Sequence, residues 1–236
     1  VLKLAHRHYN ASLIAFDDLL GYPVPNAERN GLTYLRTAGD LWEAESVFLR
    51  AAAVAVRLGG ESQFVTSNNL GELYLRRGDA ATALATFERV LGGSVDGMPP
   101  AQVGLLYHNL GCAAKATGDL PGAMEWLRKA LAVNLAEKLY EEAAADYYMI
   151  ASVHSKQGDY AAAAKNAELA LEYDKRIENA LGVVKDLLAL GLIAMKAGDP
   201  AAAYGYFQRS ESAATALAST ADIRSALEGL IAAGDA

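Results

Sequence analysis

Apolar residues recur along the chain at helical steps of three and four, in paired stretches of about sixteen residues that one short polar break divides. The stretch NNLGELYLRRGD followed by AATALATFERVL shows the unit. Leu70, Leu73 and Tyr74 share one helical face, and Ala83, Phe87, Val90 and Leu91 share another. The break is a Gly-Asp dipeptide. It stands at Gly39-Asp40, Gly78-Asp79, Gly118-Asp119, Gly158-Asp159, Gly198-Asp199 and Gly234-Asp235, at intervals of 39, 40, 40, 40 and 36 residues. Glycine takes the left-handed conformation that ends one helix, and aspartate caps the start of the next, so each unit reads as helix, tight turn, helix. A fixed period of this length predicts units that bury no core of their own and stack into a solenoid.

Aligned on the Gly-Asp, the five full units share a packing pattern. Five residues after the glycine stands alanine in every copy: Ala44, Ala83, Ala123, Ala163 and Ala203. Seven residues before it are Leu32, Gly71, Gly111, Ala151 and Gly191, small in four of five, which lets two helix backbones approach closely. Nine residues after it comes a plug: Phe48, Phe87, Leu127, Ala167 and Phe207. The expected organisation is a single all-α array of about twelve helices. Residues 1–20 form a half-repeat helix, followed by repeats at 22–58, 62–93, 100–136, 139–176 and 179–217 and a terminal or capping helix at 220–233. Gly21, Pro23 and Pro25 shorten the first helix of the first repeat, because proline is excluded from helix interiors. GGSVDGMPP, residues 92 to 100, is the one long connection.

The pattern resembles the tetratricopeptide repeat, whose signature is a Leu-Gly pair in the first helix, Gly-Asp or Gly-Asn at the turn, and alanine then a large aromatic in the second helix. Leu70-Gly71, Leu110-Gly111 and Leu190-Gly191 carry it. The 40-residue period is similar to the longer-helix branch found in kinesin light chains, cell-polarity adaptors and bacterial peptide-responsive regulators. The resemblance implies a right-handed superhelical solenoid whose first helices line a concave, protein-binding groove.

Composition narrows the function classes. A formal net charge of −7 and a pI near 5.1, with no basic run, argue against nucleic acid. No stretch approaches the roughly 18 uninterrupted apolar residues of a spanning helix. The single cysteine, Cys112, excludes an intramolecular disulfide and offers no thiolate cluster for zinc. It is read as a small buried or groove-lining residue, with a redox switch as the other reading. Of the four histidines, His6 and His8 lie on different helix faces, and His154 is read as packed in a core or interface rather than as a ligand. No HExxH, Cys-x-x-Cys, GxGxxG or Walker motif is present, so neither a catalytic set, a metal site nor a cofactor is expected. The chain begins at Val1, which fits a removed leader or a fragment of a longer protein. The expected compartment is the cytoplasm, or the periplasm or envelope if a leader has been removed, and the abundance of Ala and Gly points to a bacterial source.

Candidate binding residues lie on the first helices. Nine residues before each glycine stand Asn30, Asn69, Asn109, Met149 and Ala189; the three asparagines form a ladder able to pair with successive peptide groups of an extended ligand. The competing reading is that they hydrogen-bond neighbouring helices and fix the stacking. Asn68, Glu72 and His108 flank the ladder and would supply specificity. Further along the face turns apolar, with Tyr148, Leu188, Leu192 and Met195 and with Lys185 nearby. That patch would bind a partner or be covered by the C-terminal helix, around Ala221 to Ala233. A basic residue near each turn (Arg36, Arg76, Lys115, Lys156, Lys196) suits the negative end of the helix dipole. In the family this chain resembles, a clamp for acidic chaperone tails places cations where Leu105 and Asn109 stand here, so that ligand is not expected. The leading expectation is a non-enzymatic adaptor binding a peptide or protein segment. The alternatives are a ligand-sensing arm of a larger signalling or transcription protein, and a self-assembling envelope scaffold that pairs as a homodimer.

Overall fold

The computed structural model describes residues 22–25, 32–35, 49–50, 60–92, 95 and 97–235. Nine helices run through the described residues from Gly60 onward, joined in antiparallel pairs. They are α1 (Gly60–Arg76) and α2 (Ala80–Gly92), α3 (Pro100–Thr117) and α4 (Leu120–Ala136), α5 (Tyr140–Gln157) and α6 (Tyr160–Arg176), α7 (Ala180–Ala197) and α8 (Pro200–Ala216), and finally α9 (Thr220–Gly234). Each helix packs on its neighbours in sequence, and the first helices α1 and α3, α3 and α5, and α7 and α9 also touch one another.

The first repeat departs from the expected helix pair. Tyr22–Pro25 (β1) and Leu32–Leu35 (β2) form a two-stranded antiparallel hairpin, with Tyr22 opposite Leu35 and Pro25 opposite Leu32. Pro23 and Pro25 withhold two backbone donors and obstruct a helix, whereas each strand of a two-stranded ribbon has an open edge that tolerates proline. Thr33 and Tyr34 are strand formers by shape. The prolines therefore do more than shorten a helix, and twelve helices are not reached among the described residues. The half-repeat of residues 1–20, together with Asn30, His6 and His8, lies outside the described residues.

The Gly-Asp turns take the expected form. Gly78, Gly118, Gly158 and Gly198 have φ of 79°, 93°, 81° and 81°, the left-handed region that glycine enters without penalty. Asp119, Asp159 and Asp199 then accept the backbone N–H three residues on, at 2.9, 3.0 and 2.9 Å. Between units a second 40-residue recurrence appears. Lys138, Glu178 and Ala218 hold φ of 59°, 58° and 53°, each on a non-glycine residue. Left-handed backbone costs an L-residue about 1–2 kcal/mol, while glycine's extra freedom in the unfolded chain costs about 0.5–1 kcal/mol. Ala218→Gly and Lys138→Gly are therefore each expected to stabilise the chain by roughly 0.5 kcal/mol, read as a rise in urea midpoint; a fall would show that these backbones carry no strain.

The core lies along the array as successive apolar clusters built from plugs seated on small residues. Phe87 lies over Gly71, Leu127 over Gly111, and Phe207 between Gly191 and Gly229, while the alanines Ala83, Ala123, Ala163 and Ala203 are fully buried beside them. A methyl group on Gly191 would stand 2.5 Å from the Phe207 ring. The close approach of the two backbones is thus required by the plug as well as permitted by the glycine.

Candidate functional site

The first helices repeat in register, and counting back from each unit's turn glycine aligns their faces. Ten residues back are Asn68, His108, Tyr148 and Leu188; nine back are Asn69, Asn109, Met149 and Ala189; six back are Glu72, Cys112, Ser152 and Leu192. At the α1–α3 contact, Asn109 Nδ2 donates to Asn68 Oδ1 at 2.7 Å and to Glu72 Oε1 at 3.2 Å, and Asn68 Nδ2 donates to Glu72 Oε1 at 2.8 Å. All three side chains are buried. Burial pushes the Glu72 carboxyl above its usual range, against the two asparagine amides and Arg76, which favour its charge.

One repeat on, the polar contact reaches across three helices. His108 Nδ1 lies 2.7 Å from Asp146 Oδ1, and Asn134 Nδ2 donates to Asp146 Oδ2 at 2.7 Å. Burial raises the Asp146 carboxyl, while the hydrogen bonds from His108 and Asn134 favour its charge. With a donor on each oxygen, the geometry is that of a carboxylate. Lys115 Nζ donates to Ser152 Oγ at 2.9 Å, tying α3 to α5 again.

The same rung recurs 40 residues later with different chemistry. Asp174 replaces Asn134 and Asp186 replaces Asp146, and Tyr148 stands where His108 stood. Asn179 Nδ2 donates to Asp174 at 3.0 Å, and Asp174 and Asp186 are neighbouring buried carboxyls, with no hydrogen-bond partner on Asp186 Oδ2 among the described residues. Burial, and then the neighbouring Asp174, push Asp186 up to about 9. The pair therefore holds a proton between its two carboxyls at neutral pH. A last rung ends in Asp222, which accepts from Ser219 Oγ at 2.6 Å.

These rungs sort the sequence candidates by accessibility. Asn68, Glu72, His108 and Asn109 are buried and bonded within the protein; Asn69, Tyr148, Lys185 and Leu188 are half-buried; Leu192 is 55% exposed. Leu188 and Met195 pack with Leu230 and Ala233 beside Phe207, so the C-terminal helix α9 covers part of the apolar patch and leaves Leu192 outside it. His154 is half-buried on α5, with Nδ1 4.0 Å from Asp159. A shallow apolar depression of about 440 Å³ lies elsewhere, between the start of α3 and the end of α4, lined by Met98, Pro100, Val103 and Val133. Its lining brings together no convergent polar groups. Sequence reasoning missed Asn134, Asp146, Asp174 and Asp186; their recurrence at 40 residues in the same register was the available signal.

Family models described as tetratricopeptide repeat match residues 24–93, 104–134 and 147–176, together more than half of the chain. The chain belongs to the tetratricopeptide repeat family. The first match includes β2, so the repeat's sequence pattern extends across a segment whose backbone is extended. No curated protein sequence matches at a significant level. Among solved structures, BtubC (BKLC) from P. vanneervenii aligns with a TM-score of 0.71 at 19% identity, over 84% of this chain and 83% of that one. The apo form of RapI aligns at 0.66 and 16% identity, over 74% and 64%. A Podosopora anserina chain of nearly identical TPR-like repeats aligns at 0.63 and 16% identity, over 76% and 89%. At these identities the likeness is one of fold. Tetratricopeptide repeats generally mediate protein–protein interaction, and no described helix of this array is long and apolar enough to cross a membrane.

Proposed function

We propose that the chain is a non-enzymatic interaction module whose first helices line a concave groove for a segment of a partner protein. The observation that carries this reading is the division of labour on those helices. A buried polar network fixes α1, α3 and α5 against one another, while Asn69 on α1, Tyr148 on α5 and Leu192 on α7 remain at least partly accessible. An accessible asparagine pairs with backbone of any sequence, while the tyrosine and leucine take apolar side chains. Asn109 has committed its amide to Asn68 and Glu72, so its part in the proposed groove is to position the helix that carries Cys112 and Leu105.

The test is selection of displayed random peptides on the wild-type chain, followed by fluorescence titration of an enriched peptide. Asn69→Ala combined with Leu192→Asp is expected to weaken that peptide about tenfold or more, while Tyr204→Ala on the second helix α8 leaves it unchanged. Equal binding by the groove variant, or no enrichment on the folded chain, contradicts the reading.

A further inference from the structure

The depression between the start of α3 and the end of α4 has a filled counterpart one repeat along. Pro100, Val133 and Ala136 line the depression, and 40 residues on the same places in the array are taken by Tyr140, Tyr173 and Arg176. There the Tyr140 and Tyr173 rings lie 5.8 Å apart, Tyr173 stacks on Tyr147 at 5.6 Å, and the Arg176 guanidinium sits 4.8 Å over Tyr140. Tyr107 is the counterpart of Tyr147, but it stacks on Trp126 at 5.6 Å, where the next repeat has Asn166 and no ring. Neither Tyr107 nor Trp126 lines the depression. Two rings and a cation are thus replaced by a proline, a valine and an alanine, and the third ring is engaged elsewhere. What results is a space of about 440 Å³, walled also by Met98 and Val103.

Its charge completes the comparison. Glu137 is exposed at the rim and enters no ion pair among the described residues. It follows the last turn of α4, where the helix carbonyls add to its negative charge. The rim therefore attracts a cation at the end of the helix that, one repeat along, carries Arg176. The apolar walls favour a ring, because an aromatic side chain brings a large contact area with only two torsions to immobilise.

We propose that this depression is a docking pocket for one aromatic side chain of a partner protein segment, a tyrosine or similar ring with an arginine or lysine beside it. The ring packs on Pro100, Val103 and Val133, in the place that Tyr140 and Tyr173 fill for themselves one repeat later, and the cation faces Glu137. The pocket shares no residue with the proposed groove, and binding there is independent of it.

The probe is N-acetyl-Tyr-Arg-amide, titrated into the wild-type chain and followed by methyl NMR. Saturable shifts are expected at Val103, Ala132, Val133 and Ala136, with a Kd of about 1–10 mM for a single anchored side chain. N-acetyl-Ala-Arg-amide is expected to give none, and N-acetyl-Tyr-Glu-amide to bind about two- to fivefold more weakly, as suits one exposed charge pair. Pro100→Tyr combined with Val133→Tyr copies the next repeat and closes the depression. That variant, checked for native helicity by circular dichroism, is expected to lose the peptide about tenfold or more. The proposal is overturned if wild type shows no saturable shift up to about 50 mM, if the alanine peptide shifts the same methyls, or if the folded double variant binds as wild type does. Equal binding of the two tyrosine peptides overturns the role assigned to Glu137. Shifts of these methyls with the chain's own concentration, in the absence of peptide, would assign the pocket to a second copy and overturn the partner.

Discussion

Phe207→Ala is expected to destabilise the chain by about 3–5 kcal/mol, at the upper end of core truncations. Phe207 is 1% exposed and fills the space between Gly191 on α7 and Gly229 on α9. Because both facing residues are glycines, no side chain at either position can relax into the space the ring vacates, and the cavity persists. The fourth repeat shows the contrast: its plug is Ala167, and the facing residue is Ala151 rather than glycine. In a solenoid each unit is held by its neighbours alone, so the loss should be local at first. Amide hydrogen exchange should therefore accelerate in α8 and α9 before α3 to α6, and the urea midpoint should fall. A loss below about 1 kcal/mol, or uniform acceleration along the array, contradicts a core built from plugs seated on glycines.

Stability is expected to decline as pH rises from about 4 to about 9, and Asp186→Asn is expected to remove much of the decline. Asp186 has a folded-state pKa of about 9 and an unfolded value of about 3.9. Between these limits the native state binds a proton that the unfolded state does not. Its contribution is fully present below the unfolded value and is lost as pH climbs through the folded one, with a slope of at most about 1.4 kcal/mol per unit. Glu72 and His108 are shifted upward too and act in the same direction, His108 only above its ordinary imidazole range. The amide introduced by Asp186→Asn can donate to the neighbouring Asp174 carboxyl and carries no proton to lose. Thermal melts at pH 5, 7 and 9 should show a falling wild-type midpoint and a flatter, higher variant curve at pH 9. Parallel curves would show that the Asp174–Asp186 pair does not govern the pH response.

The scaffold was legible in the sequence wherever its cause is local. Gly118 and Asp119 announce their turn because left-handed backbone and an N-cap oxygen are demands of the residues themselves. The same holds for the plug at Phe87, whose partner Gly71 keeps a fixed distance in register. The hairpin at Tyr22–Pro25 and Leu32–Leu35 was obscured because the repeat pattern runs through it, although Pro23 and Pro25 already weighed against a helix. The polar network was less legible. Asn69 and Asn109 share a register, yet Asn69 is half-buried while Asn109 turns its amide to Asn68 and Glu72, because its direction is decided by how α1 and α3 pack. Asp146 and Asp186 take their roles only once the helix that brings Asn134 or Asp174 against them is in place, which no local pattern announces.

The proposed binding of a protein segment along the first helices of this tetratricopeptide array would leave a footprint that hydrogen–deuterium exchange can read, with and without a peptide selected on the wild-type chain. Protection is expected to concentrate in α1, α3, α5 and α7, strongest around Asn69, Tyr148 and Leu192. Protection confined to the second helices α2, α4, α6 and α8 would place the partner on the opposite face and refute the proposed groove.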